Sequence, residues 1–154
     1  FGEFRLHAFQ QTNNNQVHLA LIKGDWEEDE PVHVRINSSI TNNDLLTSLT
    51  SDSDKTLENI FKKINSNKNG VIVFINQTPN PENILFRLKK LKSMQSKNKI
   101  KSPPLQMDEK DFGIGAQILH DLKISKIQLI TNSNQIKRVG MIGYGLEIVE
   151  YINY

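Results

Sequence analysis

A chain of 154 residues is long enough to bury most of its apolar surface in one domain without covalent staples. It has no cysteine, which excludes disulfides, thiolate catalysis and any thiolate-bound metal. With 19 basic and 17 acidic side chains the net charge is +2, too weak a field to point to nucleic acid.

No apolar run reaches the length of a membrane span and no signal-peptide pattern opens the chain, so a cytoplasmic setting without membrane contact is expected. The opening FGEFRLHAF lacks an initiator methionine, which predicts a longer polypeptide with something ahead of a single domain over 1–154.

In chain order, residues 3–9 and 16–23 carry apolar side chains at strand spacing (Phe4, Leu6, Ala8; Val17, Leu19, Leu21) around a polar Asn13-Asn14-Asn15, the signature of a hairpin. After the acidic stretch 25–30 and Pro31, residues 32–36 read as a strand that delivers Arg35 and Asn37 to its end, where sites are commonly built.

Leu57, Ile60, Phe61 and Ile64 recur at helical spacing, with Asp54 as N-cap and Asn69-Gly70 as the stop. The run GVIVFINQ from Gly70 is nearly all apolar, as expected of a strand covered on both faces. Asn80-Pro81-Glu82 starts a second helix with the stripe Ile84, Leu85, Leu88, Leu91, which passes into a lysine-rich loop closed by Pro103-Pro104.

Asp111 is placed to cap a third helix bearing Ile114, Ile118, Leu119 and Leu122. A strand over 126–131, a short helix over 135–142, a Gly143-Tyr144-Gly145 turn and a last strand LEIVEYI complete the chain. Strands alternating with helices predict an α/β fold, and the opening hairpin makes its sheet mixed.

Charge is local rather than global. Residues 87–101 hold seven basic side chains and no acid, yet lack the interleaved aromatics that stack bases, so a solvated loop is expected and nucleic-acid binding is not. The four histidines are scattered, with no two at metal-ligand spacing on one element, and His33 reads as a surface or packing residue.

Three stretches carry a family likeness. Residues 32–54, VHVRINSSITNNDLLTSLTSDSD, keep the frame of the pattern V-R-V-H-S-E-C-L-T-G-D-x-x-x-S-L-R-C-D-C at Val34, Arg35, Ser38, Asp44, Ser48, Leu49 and Asp52. DFGIGAQILHDLKISKIQLITN and GYGLEIVE follow D-Y-G-I-G-A-Q-I-L-x-D-L-G-V-x-K-I-R-L-L-T-N and G-Y-G-L-E-V-V-E almost residue for residue, and FGEFRLHAF with HLALIKGD matches an opening hairpin. The chain resembles the GTP cyclohydrolase II family over nearly its whole length.

That resemblance implies a three-layer fold with a mixed sheet between flanking helices and an N-terminal β-hairpin. In the family it also implies a zinc ion held by three thiolates, whose water opens the imidazole ring of GTP with release of formate and pyrophosphate toward riboflavin, with magnesium at the phosphates. Zinc needs at least three good donors and an open position to bring its water to a pKa of roughly 7. The family's cysteine positions fall here on Ile40, Ser51 and Ser53, and neither an alkyl group nor an un-ionised hydroxyl is a good zinc donor.

Other family positions are altered in the same direction. The phosphate-binding E-G-R becomes Thr78-Pro79-Asn80, which removes a guanidinium fork suited to phosphate. The family's catalytic tyrosine aligns with Leu91, its D-x-R pair with Asp108 and Lys110, and its His-Ser-Glu with Asn37-Ser38-Ser39. Arg35, Ser38, Gln77, Thr131 and, allowing one inserted residue, Lys137 stand where the family contacts nucleotide, while Asp52 supports the site or caps the helix that follows.

The expectation is therefore a cyclohydrolase-like domain without zinc and without turnover, in a structural, dimerising or regulatory role. Any GTP binding would be weak, with magnesium only alongside it. The likeness also implies a homodimer and a fused N-terminal half resembling dihydroxybutanone phosphate synthase. The competing reading is an active cyclohydrolase, or a related nucleotide hydrolase, working with unusual ligands.

Overall fold

The structure, a computed structural model, describes residues 1–13, 16–39, 53–76, 92, 109–132 and 143–154. Apart from Lys92, the expected helix after Pro81 and the lysine-rich loop lie outside the described residues, as does the short helix over 135–142.

Six strands form one sheet: β1 (Arg5–Gln10), β2 (Val17–Lys23), β3 (Pro31–Ser39), β4 (Gly70–Asn76), β5 (Lys126–Ile130) and β6 (Glu147–Ile152). Their spatial order is β1-β2-β4-β3-β5-β6. The hairpin β1–β2 and the pair β2–β4 are antiparallel, while β4, β3, β5 and β6 run parallel. The mixed sheet expected from the sequence is thus observed.

Helix α1 (Ser53–Asn65) covers one face and α2 (Glu109–Asp121) the other. Strand β4 shows why its sequence is uniformly apolar: Val71, Val73 and Ile75 pack in the core beneath α2, and Ile72 packs on the far side against Ile60 and Ile64 of α1. Strand β3 divides its residues differently. Val32, Val34 and Ile36 are buried in the α2 layer, leaving His33, Arg35 and Asn37 on the α1 face.

Helix α2 lies close to the sheet because Gly115 has no side chain; a Cβ there would sit 3.0 Å from Ile36 Cδ1. Its C-terminus closes with Ile124 N–H donating to the Leu119 carbonyl at 3.0 Å and Lys123 N–H to that of His120 at 2.9 Å. This is a Schellman closure, with Lys123 held at a φ of 57° in the left-handed region.

Four boundaries and faces differ from expectation. Helix α1 begins at Ser53, so Asp54 lies in its first turn rather than before it. Helix α2 begins at Glu109, which places Asp111 inside the helix instead of at its cap. Strand β3 continues to Ser39, because its pairing with β4 extends through Ser39 opposite Asn76, so Arg35 is mid-strand and not at the strand end.

The apolar face of β1 is also mostly uncovered. Phe4 packs edge-on against Phe61 at 5.4 Å between ring centroids, but Leu6 remains 61% exposed because β1 is the last strand on its side. Phe1 stacks on the same Phe61 ring at 4.5 Å.

Candidate functional site

Parallel strands β3 and β4 end level with each other at Ser39 and Asn76, while β5 ends at Ile130, level with Arg35 and short of them. The crevice beyond the carboxyl ends of parallel strands is the usual ligand position in an α/β sheet. Ser38 lies there in β3, its backbone in register with Ile75. Lys110 is in the first turn of α2, and Ser53 opens α1. Asp108, Gln77, Lys137, Ile40 and Ser51 lie outside the described residues, as does Leu91.

Arg35 and Thr131 are brought together at the end of β5. Arg35 Nη1 donates to the Ile130 carbonyl at 3.0 Å, just past the last β3–β5 pair, Val34 with Leu129. The guanidinium also lies over the Tyr154 ring, 4.9 Å from its centroid. Its Nε is buried and without a hydrogen-bond partner among the described residues. Burial pushes the guanidinium pKa below its ordinary value, and the attraction and hydrogen bonding of Tyr154 oppose that shift.

Thr131 is buried, and its N–H donates to the Ile152 carbonyl at 2.8 Å. Asn132 clamps the same edge: its Nδ2 donates to the Tyr154 carbonyl at 2.6 Å and its Oδ1 accepts from the Tyr154 N–H at 2.9 Å. Arg35 and Thr131 are therefore both engaged with the C-terminal strand. Tyr154, which completes this cluster, carries no local signal in the sequence that would have singled it out.

A cleft of about 700 Å³ opens between the hairpin end and α2, lined in part by Gln11, His18, Ile114, Gln117 and Asp121. Sequence reasoning passed over His18 as one of the scattered histidines. The available signal was its phase: in β2 it shares a face with Ala20 and Ile22, and all three are buried.

The residues present do not fit a thiolate-type zinc centre. None of the 154 residues is a cysteine, and among the described residues no group of three His, Asp or Glu side chains is arranged to hold a metal. No helix among the described residues is long and apolar enough to cross a membrane.

A mixed α/β sheet between two helix layers, with parallel strands ending at a common edge, places the chain in the three-layer α/β class. The GTP cyclohydrolase II family model matches residues 1–153, and the chain belongs to that family. It is 43% identical to a riboflavin biosynthesis protein RibBA of Cytophaga hutchinsonii, over 98% of this chain and 38% of that protein. RibBA proteins of Parabacteroides distasonis and Aquifex aeolicus are 37% and 34% identical, each over 99% of this chain and 38% of their own length. The chain thus spans well under half the length of these relatives.

Proposed function

We propose that this is a GTP cyclohydrolase II-type domain of riboflavin biosynthesis that does not open the purine ring and acts as a structural, dimerising or regulatory module. One observation carries the reading: the chain has no cysteine at all, so the thiolate set implied by the family is replaced by Ile40, Ser51 and Ser53. Zinc is not a cofactor in this reading. Magnesium enters only with a phosphate ligand, for which Arg35, Ser38, Gln77, Thr131 and Lys137 are the remaining candidate contacts.

The pairing of Arg35 with the Ile130 carbonyl and the Tyr154 ring supports the same view, because a guanidinium already engaged is less available to a phosphate. Asp108 with Lys110 retains one carboxylate and loses the bidentate fork, which supports loss of the family's acid-base pair. Residues 1–154 act as one domain in this account, a cytoplasmic homodimer fused to an N-terminal half resembling dihydroxybutanone phosphate synthase. The greater length of the RibBA relatives supports the fusion.

Formate release from GTP with added zinc and magnesium tests the proposal. No turnover above the uncatalysed background is expected, and an enzyme-like rate would overturn it. The competing reading of an active hydrolase is favoured by the match over nearly the whole scaffold. Stoichiometric zinc in the purified protein, with sub-millimolar GTP binding by calorimetry, would decide for that reading.

A further inference from the structure

Among the described residues His18 is the one buried titratable side chain in the α2 layer, 1% exposed, and both its ring nitrogens are engaged. The main-chain N–H of Asn76, the last residue of β4, donates to Nδ1 at 3.0 Å. That contact lies past the final β2–β4 pair, Leu19 with Phe74, so the imidazole extends the ladder by one side-chain bond. An accepting Nδ1 puts the ring hydrogen on Nε2.

The terminal amide of Gln11 lies 2.8 Å from Nε2 through the atom assigned as nitrogen. With Nε2 already carrying hydrogen, only the reversed amide, oxygen toward the ring, completes a hydrogen bond there. The resulting chain runs from the Gln11 carbonyl through a neutral imidazole to the Asn76 amide. It ties the hairpin to the exit of β4, at the edge of the sheet where the candidate site lies.

We propose that His18 is a pH-operated latch on the end of β4: uptake of a solvent proton forms an N–H bond at Nδ1, turns that acceptor into a donor, and breaks the hydrogen bond to Asn76. The latch is closed at neutral pH and opens on acidification. Burial holds the imidazole pKa below its ordinary value, which keeps the ring neutral well into mild acid. This inference goes beyond the proposed loss of turnover and stands whether or not the domain is catalytic.

Among the described residues few charged or titratable side chains stand near the ring; His7, two residues before Phe9 on the same face of β1, is one of them. Across the β1–β2 pairing the His18 ring meets Phe9, and the hairpin end adds the amides and hydroxyl of Gln11, Thr12 and Asn13. Helix α2 contributes Gln117 and one titratable group, Asp121, the only charged side chain among the described residues lining this cleft. The sign of the linkage follows from the lowered pKa. The neutral ring contributes stability that is fully present above its ordinary pKa of 6.5 and is lost as pH falls through the lower folded value.

Nitrogen-15 spectra of the histidine rings and of the Asn76 amide, recorded across a pH titration of the whole protein, test the latch. The expected result is an Nε2–H tautomer at neutral pH, with the Asn76 amide shifting in step with the His18 ring at a midpoint below 6.5. Protection of that amide against solvent exchange should fall about two- to tenfold at the acid end. An Nδ1–H tautomer, or an Asn76 amide that ignores the ring's titration, would overturn the proposal. In His18→Gln the acid-dependent shift of Asn76 should vanish, and its persistence would assign the effect to Asp121 or His7 and sink the latch. The wild-type titration decides by itself should that variant not fold.

Discussion

The guanidinium of Arg35 lies 4.9 Å from the centroid of the Tyr154 ring and at the same time donates from Nη1 to the Ile130 carbonyl. A side chain in the middle of β3 thereby fastens the end of β5 to Tyr154, two residues beyond β6. Replacing the ring by an alkyl group of similar bulk isolates its electrostatic part. Tyr154→Leu is expected to lower stability by about 1 kcal/mol, read as a shift of the urea midpoint, and an unchanged midpoint would show that the ring face is not a support.

Lys123 holds the left-handed position of the Schellman closure after α2, where the family pattern has glycine. A side chain there costs about 1 kcal/mol relative to glycine. Lys123→Gly is therefore expected to raise stability by somewhat less than that amount, since glycine also gains freedom in the unfolded chain. Thermal unfolding at fixed pH measures it, and a lower melting temperature would contradict the assignment.

Gly24 also has a positive φ, 66°, and a Cβ there would lie 2.3 Å from the Lys68 carbonyl oxygen. The obstacle is main chain, which cannot rotate aside. Around it, Lys23 Nζ donates to the carbonyls of Asn65 and Asn67, both at 3.0 Å, locking the turn after β2 to the loop after α1. Gly24→Ala should cost more than about 2 kcal/mol, visible as a large loss in denaturant midpoint. A near-neutral result would show that this junction yields.

Glu30 gathers three supports: Lys68 Nζ at 2.6 Å, the Glu27 N–H at 3.1 Å and the Asn69 amide at 3.1 Å. The Lys68 hydrogen bond, followed by the backbone bond, holds its carboxyl below the ordinary value of 4.5. A depressed carboxyl contributes stability above its unfolded pKa and loses it as pH falls through the folded one. Stability followed by urea unfolding should therefore decline below about pH 4.5, and Lys68→Met should flatten that decline. An identical acid profile in the variant would remove Glu30 from the account.

Much of the fold was legible in the residues themselves. The alternation in 16–23, the unbroken run from Val71 and the helical stripe from Leu57 to Ile64 each report which faces are covered, because period follows from backbone geometry. The site was legible only as a set of substitutions. Ile40, Ser51 and Ser53 stand out only beside the family pattern that the chain resembles, which has cysteine at those positions, whereas the partners of Arg35 could not be foreseen. Ile130 and Tyr154 are 95 and 119 positions away, close only once β5 and β6 have been laid beside β3.

What the sequence determined by itself was composition-level chemistry and local periodicity: a cysteine-free chain, strands alternating with helices, and a recognisable cyclohydrolase frame. What the tertiary structure alone decided was the position of each polar side chain along its element and its partner across the sheet. Arg35 is mid-strand because β3 keeps pairing with β4 as far as Ser39. His18 is a latch, and not merely a buried ring, because the order β1-β2-β4 sets the Asn76 amide against its Nδ1. Hydrogen bonds are short and directional, so strand order and register, which no single stretch of sequence encodes, choose their partners.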